Sequence, residues 1–276
     1  MTLDYVPSAR EPAATASRTA LRGIHVVLPA YNEAASLPSL LQRLEDFRST
    51  FVTSSGHPLS VWVVDDGSTD ATAELATAGY GALKVVLVSH PENRGLGQAV
   101  RSGLVASLKV AHPDDAIVLM DADDTHDVRL INRLAGALQD GADIAIASRF
   151  VEGGDDSTAP PLRRVLSHGA GWFFNRALPL ENINDFTSGF RAYRASLLQR
   201  AVDHYGERLV EEQGFAVMVE LLLKLRYCNP VVAEVPLVLR YDRKGSDSKL
   251  RLWRTLGQYV RLISRDRLSP APFRTL

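Results

Sequence analysis

Asp121 and Asp123 stand one residue apart, immediately after the apolar run 117–120. Carboxylates are hard oxygen donors suited to Mg2+ or Mn2+, ions that keep waters and bind substrate phosphates at the same time. An ion held there would neutralise charge developing on a departing diphosphate. A lone pair of this kind could equally be a solvated turn whose Asp residues cap a helix. Two further polar clusters follow apolar runs, however. Pro29-Ala30-Tyr31-Asn32-Glu33 follows 24–28, and Asp65-Asp66-Gly67-Ser68-Thr69-Asp70 follows 61–64. Together they put several carboxylates along one edge, which is costly without a cation or hydrogen-bond donors. That cost favours a site over three unrelated turns. Asp66 would contact the ligand while Thr69 or Asp70 caps the next helix, and Asn32 would cap the helix after Glu33. Asn93-Arg94-Gly95-Leu96-Gly97 is a weaker glycine loop, with Arg94 as phosphate partner or plain surface residue.

The clusters need a scaffold, and the apolar pattern supplies one. Runs at 24–28, 61–64, 85–88, 117–120 and 144–147 are short and nearly all apolar, as strands buried on both faces are. Helix-compatible segments at 34–47, 71–78, 97–110 and 128–139 lie between them. Strand and helix alternating from 24 to 148 predict a doubly wound α/β unit, in which ligands bind beyond the carboxyl ends of the strands. The second half loses that rhythm. It reads as a loop at 153–161, helices at 165–178 and 211–226, a strand over 231–240 interrupted by Pro236, and a helix over 248–265. There is no internal repeat.

Composition narrows the class further. The 276 residues carry 46% hydrophobic and 23% charged side chains with a net charge of −1, which excludes a disordered or fibrous chain and gives no bulk attraction to nucleic acid. Cys228 is the lone cysteine, so no intrachain disulfide or multi-cysteine metal site can form. No run reaches the ~18 to 20 apolar residues of a spanning helix. The first 22 residues have no apolar core and read as a flexible tail rather than a signal peptide. A reducing, cytoplasmic setting is expected. Residues 249–267 hold Lys249, Arg251, Arg254, Arg261, Arg265 and Arg267 against Asp266, with Trp253, Leu256, Val260 and Ile263 at helical spacing. Such a basic amphipathic helix could lie on the cytoplasmic membrane face or pack on the domain. Gly171-Trp172-Phe173-Phe174 is a second patch open to either reading.

Taken together, the three clusters resemble family 2 glycosyltransferases of the GT-A fold, over about residues 24–255. His126, Ser148-Arg149-Phe150-Val151-Glu152-Gly153-Gly154, Ser188-Gly189-Phe190 and Ser248-Lys249-Leu250 narrow the resemblance to dolichol- and polyprenyl-phosphate mannose synthases. The resemblance implies an α/β, Rossmann-like GT-A domain over 23–246, with a mostly parallel sheet flanked by helices. A C-terminal helical extension would occupy 247–276. It implies inverting transfer of a hexose from a nucleotide-diphosphate sugar to a polyprenyl phosphate, with GDP-mannose the best-known donor. Carried over residue by residue, Pro29, Tyr31, Glu33, Asp66, Asp121, Ala122 and Asp123 serve the nucleotide. Asp121, Asp123 and Thr125 serve a divalent metal, Mg2+ or Mn2+. Arg149, Arg163, Arg240 and Lys249 serve the phosphates or the acceptor, where a guanidinium fork suits bidentate contacts.

Two departures stand out. Asp124-Thr125 replaces the family's Leu-Gln, and Gly245-Ser246-Asp247-Ser248-Lys249-Leu250 is one residue longer than the family's Gly-Glu-Ser-Lys-Leu. The Gln-x-x-Arg-Trp motif of processive synthases is missing from the sequence, which disfavours polymer synthesis. An ionised phosphate acceptor can attack unaided, whereas an alcohol needs a general base. Glu211 and Glu212 are the candidates, with Glu212 preferred; as helix-start acids they could instead be dipole partners. The alternatives are a soluble small-molecule or peptide acceptor and a non-catalytic nucleotide-sugar-binding subunit. A nucleotidyltransferase would carry a glycine-rich basic signature that this N-terminal region lacks.

Overall fold

The computed structural model describes residues 20–155 and 183–238, with 257–259, 261, 262 and 264 beyond them. In chain order the described elements are β1 (Ile24–Ala30), α1 (Leu37–Ser55), β2 (Leu59–Asp65), α2 (Thr72–Ala76), β3 (Lys84–Ser89), α3 (Leu96–Leu108), β4 (Ala116–Leu119), α4 (Leu130–Gln139) and β5 (Ile144–Ser148). They continue with β6 (Arg191–Arg194), α5 (Ala195–Tyr205), α6 (Val217–Leu225) and β7 (Val232–Pro236). The seven strands form one sheet in the order β3-β2-β1-β4-β6-β5-β7. β6 runs antiparallel to both β4 and β5, and the other pairings are parallel. The architecture is the expected mostly parallel, helix-flanked α/β sheet of the GT-A type.

The two-residue period of the strands divides the core into two layers. Val26, Leu28, Val61 and Val63 pack with α1, α2 and α4 on one face of the sheet. Val27, Trp62 and Val64 pack with α3, α5 and α6 on the other. Because β1, β2 and β4 are parallel and adjacent, their carboxyl ends lie on one edge, and the three polar clusters must emerge together.

Several element limits differ from the sequence reading, each for a physical reason. β1 runs through Pro29 to Ala30 rather than stopping before the proline. Pairing with β4 ends at Val27, whose carbonyl accepts from Met120. Pro29 therefore turns its missing donor toward a side where the ladder has already stopped. α1 starts at Leu37, not Ala34, because 31–36 forms a turn docked onto the β2 loop, and it ends at Gly56 in the left-handed region (φ 72°). The helix expected over 211–226 is shorter, Val217–Leu225, because its first residues form a loop bonded to Glu220.

β6 and α5 escape the hydrophobic pattern altogether. Arg191 and Arg194 bracket a four-residue strand yet are buried, with Arg191 guanidinium nitrogens donating to the carbonyls of Met218 (2.6 Å) and Phe186 (2.7 Å). The helices expected at 165–178 and 248–265, the 1–22 tail, the 171–174 patch and Arg163, Arg240 and Lys249 lie wholly or largely outside the described residues. Of the last helix, Tyr259 and Leu262 are buried in the α3–α5–α6 layer, so the face they occupy packs on the domain.

Candidate active site

Hydrogen bonds stitch the three strand ends into one surface. Asn32, in the left-handed region at φ 51°, does not cap α1; its Oδ1 accepts from the backbone N–H of Thr69 at 2.8 Å. Its own N–H donates to Ser68 Oγ at 2.9 Å. The Glu33 N–H donates to Thr72 Oγ1 at 2.8 Å. Ser36 Oγ lies 2.9 Å from Glu33 Oε2 and 3.2 Å from the Ala122 carbonyl, linking the first cluster to the third. The N-cap of α2 is Ala71 rather than Thr69 or Asp70; Asp70, one residue earlier, ties the turn together, its Oδ1 accepting from the Thr72 N–H (3.0 Å) and its Oδ2 from the Ala34 N–H (3.1 Å). Burial pushes the Asp70 carboxyl up, but the Thr72 and Ala34 hydrogen bonds prevail and hold it below its ordinary value. Pro29 and Tyr31 sit half-buried on the same edge.

Asp66 is buried, and its carboxylate organises the neighbouring loop. Oδ1 lies 2.6 Å from His90 Nδ1 and accepts from the Arg94 N–H at 2.9 Å, while Oδ2 accepts from the Gly95 N–H at 2.8 Å. A carboxylate only accepts, so Nδ1 carries a proton; His90 Nε2 lies 2.9 Å from Ser102 Oγ. The Arg94–Gly95 loop in turn meets the Glu211–Gly214 loop. The Gly97 N–H donates to the Gln213 carbonyl at 3.2 Å. A Cβ added at Gly97 would fall 1.7 Å from the Glu212 carbonyl oxygen, so only glycine permits that approach. Glu220, buried under the loop, accepts from the N–H groups of Glu211 and Glu212 and from Lys224 Nζ at 2.7 Å. Glu212 is buried beside the Asp66 loop, whereas Glu211 is exposed and paired with Lys224 at 3.0 Å.

Asp121 and Asp123 emerge half-buried from the end of β4 with buried Ala122 between them. A Cβ added at Gly189 would sit 3.3 Å from Asp121 Oδ1, so the Ser188-Gly189-Phe190 turn forms a close-fitting wall for that carboxylate. Thr125 donates to Asp123 Oδ1 through its hydroxyl at 2.6 Å and its N–H at 3.2 Å, which fixes the carboxylate's orientation. Thr125 therefore acts on Asp123 in this structure. Among the described residues no group of three or more His, Cys, Asp or Glu side chains converges on a metal position. Two carboxylates on one loop still fit Mg2+ or Mn2+, which characteristically complete their shells with substrate phosphates and water. Asp124, at φ 58°, bonds to Ser39 and Arg43 of α1, and buried His126 packs on the Phe190 ring with centroids 5.0 Å apart.

Arg149 is directed onto Asp185 in a bidentate pair, Nε to Oδ2 and Nη2 to Oδ1, each at 2.7 Å, with Nη2 also donating to Thr187 Oγ1 at 2.7 Å. Burial drives the Asp185 carboxyl up, but the charge and hydrogen bonds of Arg149, joined by the charge of Arg191, hold it below its ordinary value. Sequence reasoning missed Asp185, His90 and Glu220 as organisers of the site. The spacing of Asp185 just before Ser188-Gly189-Phe190 is the signal that could have marked the first.

A mostly parallel sheet whose strand ends carry an Asp-x-Asp loop beside two further polar clusters has the GT-A architecture, and residues 25–201 match the family model for glycosyl transferase family 2. The chain belongs to that family. It is 33% identical to dolichol-phosphate mannosyltransferase of Pyrococcus furiosus, covering 88% of this chain and 63% of that protein's length. It is 34% identical to undecaprenyl-phosphate mannosyltransferase of Micrococcus luteus, covering 81% of this chain and 86% of the relative. Among solved structures, glucosyl-3-phosphoglycerate synthase of Mycobacterium tuberculosis in complex with Mn2+, UDP and phosphoglyceric acid superposes with a TM-score of 0.62 at 24% identity, covering 91% of this chain and 80% of that one. No helix among the described residues is long and apolar enough to cross a membrane.

Proposed function

We propose that this chain transfers a hexose, mannose favoured, from a nucleotide-diphosphate sugar such as GDP-mannose to a polyprenyl phosphate, with inversion at the anomeric carbon. The observation that carries the reading is the convergence of the Pro29–Glu33, Asp66 and Asp121–Asp123 clusters on one sheet edge. The names of the two mannosyltransferase relatives support that acceptor class. Pro29, Tyr31, Glu33, Asp66 and Ala122 border the nucleotide, and Asp121 and Asp123 hold Mg2+ or Mn2+. When bound, the metal supplies positive charge to the departing diphosphate. A phosphate oxygen of the acceptor attacks C1 from the face opposite the leaving group, forming the new C1–O bond as the C1–O bond to the nucleoside diphosphate breaks. Arg149 is held in a buried bidentate pair with Asp185, and its phosphate contact is assigned by resemblance. Arg163, Arg240 and Lys249 are assigned the remaining phosphate contacts by resemblance alone. The 247–276 segment is assigned a peripheral membrane role through whichever face does not pack on the domain.

The two aspartates of the second cluster should separate cleanly. Asp66→Ala should weaken nucleotide binding about 10-fold, because loss of a charged acceptor frees the Arg94–Gly95 loop. Asp70→Ala should leave affinity unchanged and cost about 0.5–1.5 kcal/mol of stability through its lost hydrogen bonds to Thr72 and Ala34. Calorimetry with GDP and UDP, beside urea unfolding, distinguishes them; equal nucleotide affinity in wild type and Asp66→Ala would remove Asp66 from the site.

The acceptor is tested at Glu212. A lipid phosphate brings its own ionised nucleophile, so Glu212→Gln and Glu211→Gln should keep most activity, and the protein should sediment with anionic vesicles and be released by salt. A soluble hydroxyl acceptor would need the base, and its loss would cost about 10²- to 10⁴-fold. Such a loss without vesicle binding would favour the soluble acceptor.

A further inference from the structure

Three polar side chains on one face of α1 grip the loop that carries Asp121 and Asp123. Ser36, at the helix N-cap, reaches the Ala122 carbonyl; one turn on, Ser39 donates to Asp124 Oδ2 at 3.0 Å. One turn further, Arg43 bonds Asp124 Oδ1 through Nη1 and donates to the His126 carbonyl through Nη2 at 3.0 Å. The spacing of 36, 39 and 43 keeps all three on one side of a helix. Both oxygens of Asp124 are thereby engaged, at a residue held in the left-handed region with φ 58°, a conformation that costs energy outside glycine and needs surrounding contacts to persist.

One guanidinium therefore clasps residues 124 and 126 and brackets Thr125, whose hydroxyl and N–H both fix Asp123 Oδ1. The Arg43–Asp124 pair is partly shielded, at 25% and 15% side-chain exposure, and its fork makes two directed bonds that lysine cannot reproduce. We infer that Arg43 is a positioning residue for the metal–diphosphate loop, acting through Asp124 and Thr125 to hold Asp123 in its binding orientation. This rests on the functional reading above. It adds a residue that touches neither metal nor nucleotide, on a helix that none of the three sequence clusters includes.

The test is calorimetric titration of the intact chain with GDP and with UDP, each with and without MnCl2, for wild type, Arg43→Met, Arg43→Lys and Ser39→Ala. Arg48→Met serves as control, since Arg48 pairs with Glu45 on the same helix. Arg43→Met should lose about 10- to 100-fold of the Mn2+-dependent affinity, the scale on which supports of metal ligands act. Metal-free nucleotide affinity should change less than about twofold. Arg43→Lys should recover part of the loss, Ser39→Ala should show a smaller one, and Arg48→Met none. Amide exchange over 121–127 should quicken in Arg43→Met while β1 and β2 keep their protection. Wild-type Mn2+ coupling that survives intact in a folded Arg43→Met overturns this inference alone. A wild type whose affinity for both nucleotides ignores Mn2+ overturns the metal reading, and the inference with it. If Arg43→Met does not fold, an unchanged Mn2+ coupling in both Arg43→Lys and Ser39→Ala overturns the inference.

Discussion

Asp123→Ala should lower transfer by about 10³-fold while leaving the fold intact. Metal charge at a departing diphosphate is worth several kcal/mol, and each ~1.4 kcal/mol is a factor of ten in rate. The fold should survive because Asp123 is half-exposed on a loop, although buried Thr125 loses its acceptor. Stability should fall by about 1–3 kcal/mol, the cost of a buried hydroxyl left without its acceptor. Thermal unfolding beside initial-rate measurement checks both halves. Full activity in excess EDTA, or in a folded Asp123→Ala variant, would contradict the metal assignment.

Asp185→Asn should have the largest effect on stability, about 3–5 kcal/mol, because it strands a buried guanidinium. Asp185 is fully buried and Arg149 is 10% exposed, so water cannot take over the lost interaction. The pH dependence has a defined sign. The folded carboxyl lies below its ordinary value of 3.8, so its contribution is complete above the unfolded value and is lost as pH falls through the folded one. Urea unfolding should therefore show the gap between wild type and variant narrowing below about pH 4. A gap that is absent at pH 7, or that widens with acid, would show that the pair does not stabilise the fold.

Much of this was legible in the sequence, and the exceptions have identifiable causes. Runs such as 61–64 and 144–147 are apolar because both faces of a parallel strand are covered, so five strands and the sheet edge that bears the three polar clusters followed directly. Arg191-Ala192-Tyr193-Arg194 hid a strand because the terminal guanidinium nitrogens of its arginines are held by main-chain carbonyls from α4, α6 and the segment before β6, a tertiary fact that local pattern cannot carry. The Asp-x-Asp pair was conspicuous, but its support was not. Arg43 lies 80 residues before Asp123 and reads as an ordinary helix surface residue. Glu220 reads as a stray charge in an apolar helix until the Glu211 and Glu212 amides are seen to end on it. The hydrogen-bonding capacity of Asp66 was legible; that His90, Arg94 and Gly95 would draw on it was not.

The central claim concerns donor and acceptor together, and product mass analysis tests it most directly. The purified chain would be incubated with Mn2+ or Mg2+ and a panel of nucleotide-diphosphate hexoses, GDP-mannose among them, with and without a polyprenyl phosphate. The account predicts a polyprenyl phosphate heavier by one hexose, formed from one donor in the panel and only when metal and lipid phosphate are both present. Transfer to a soluble acceptor, with no hexosyl lipid formed from any donor, would contradict it.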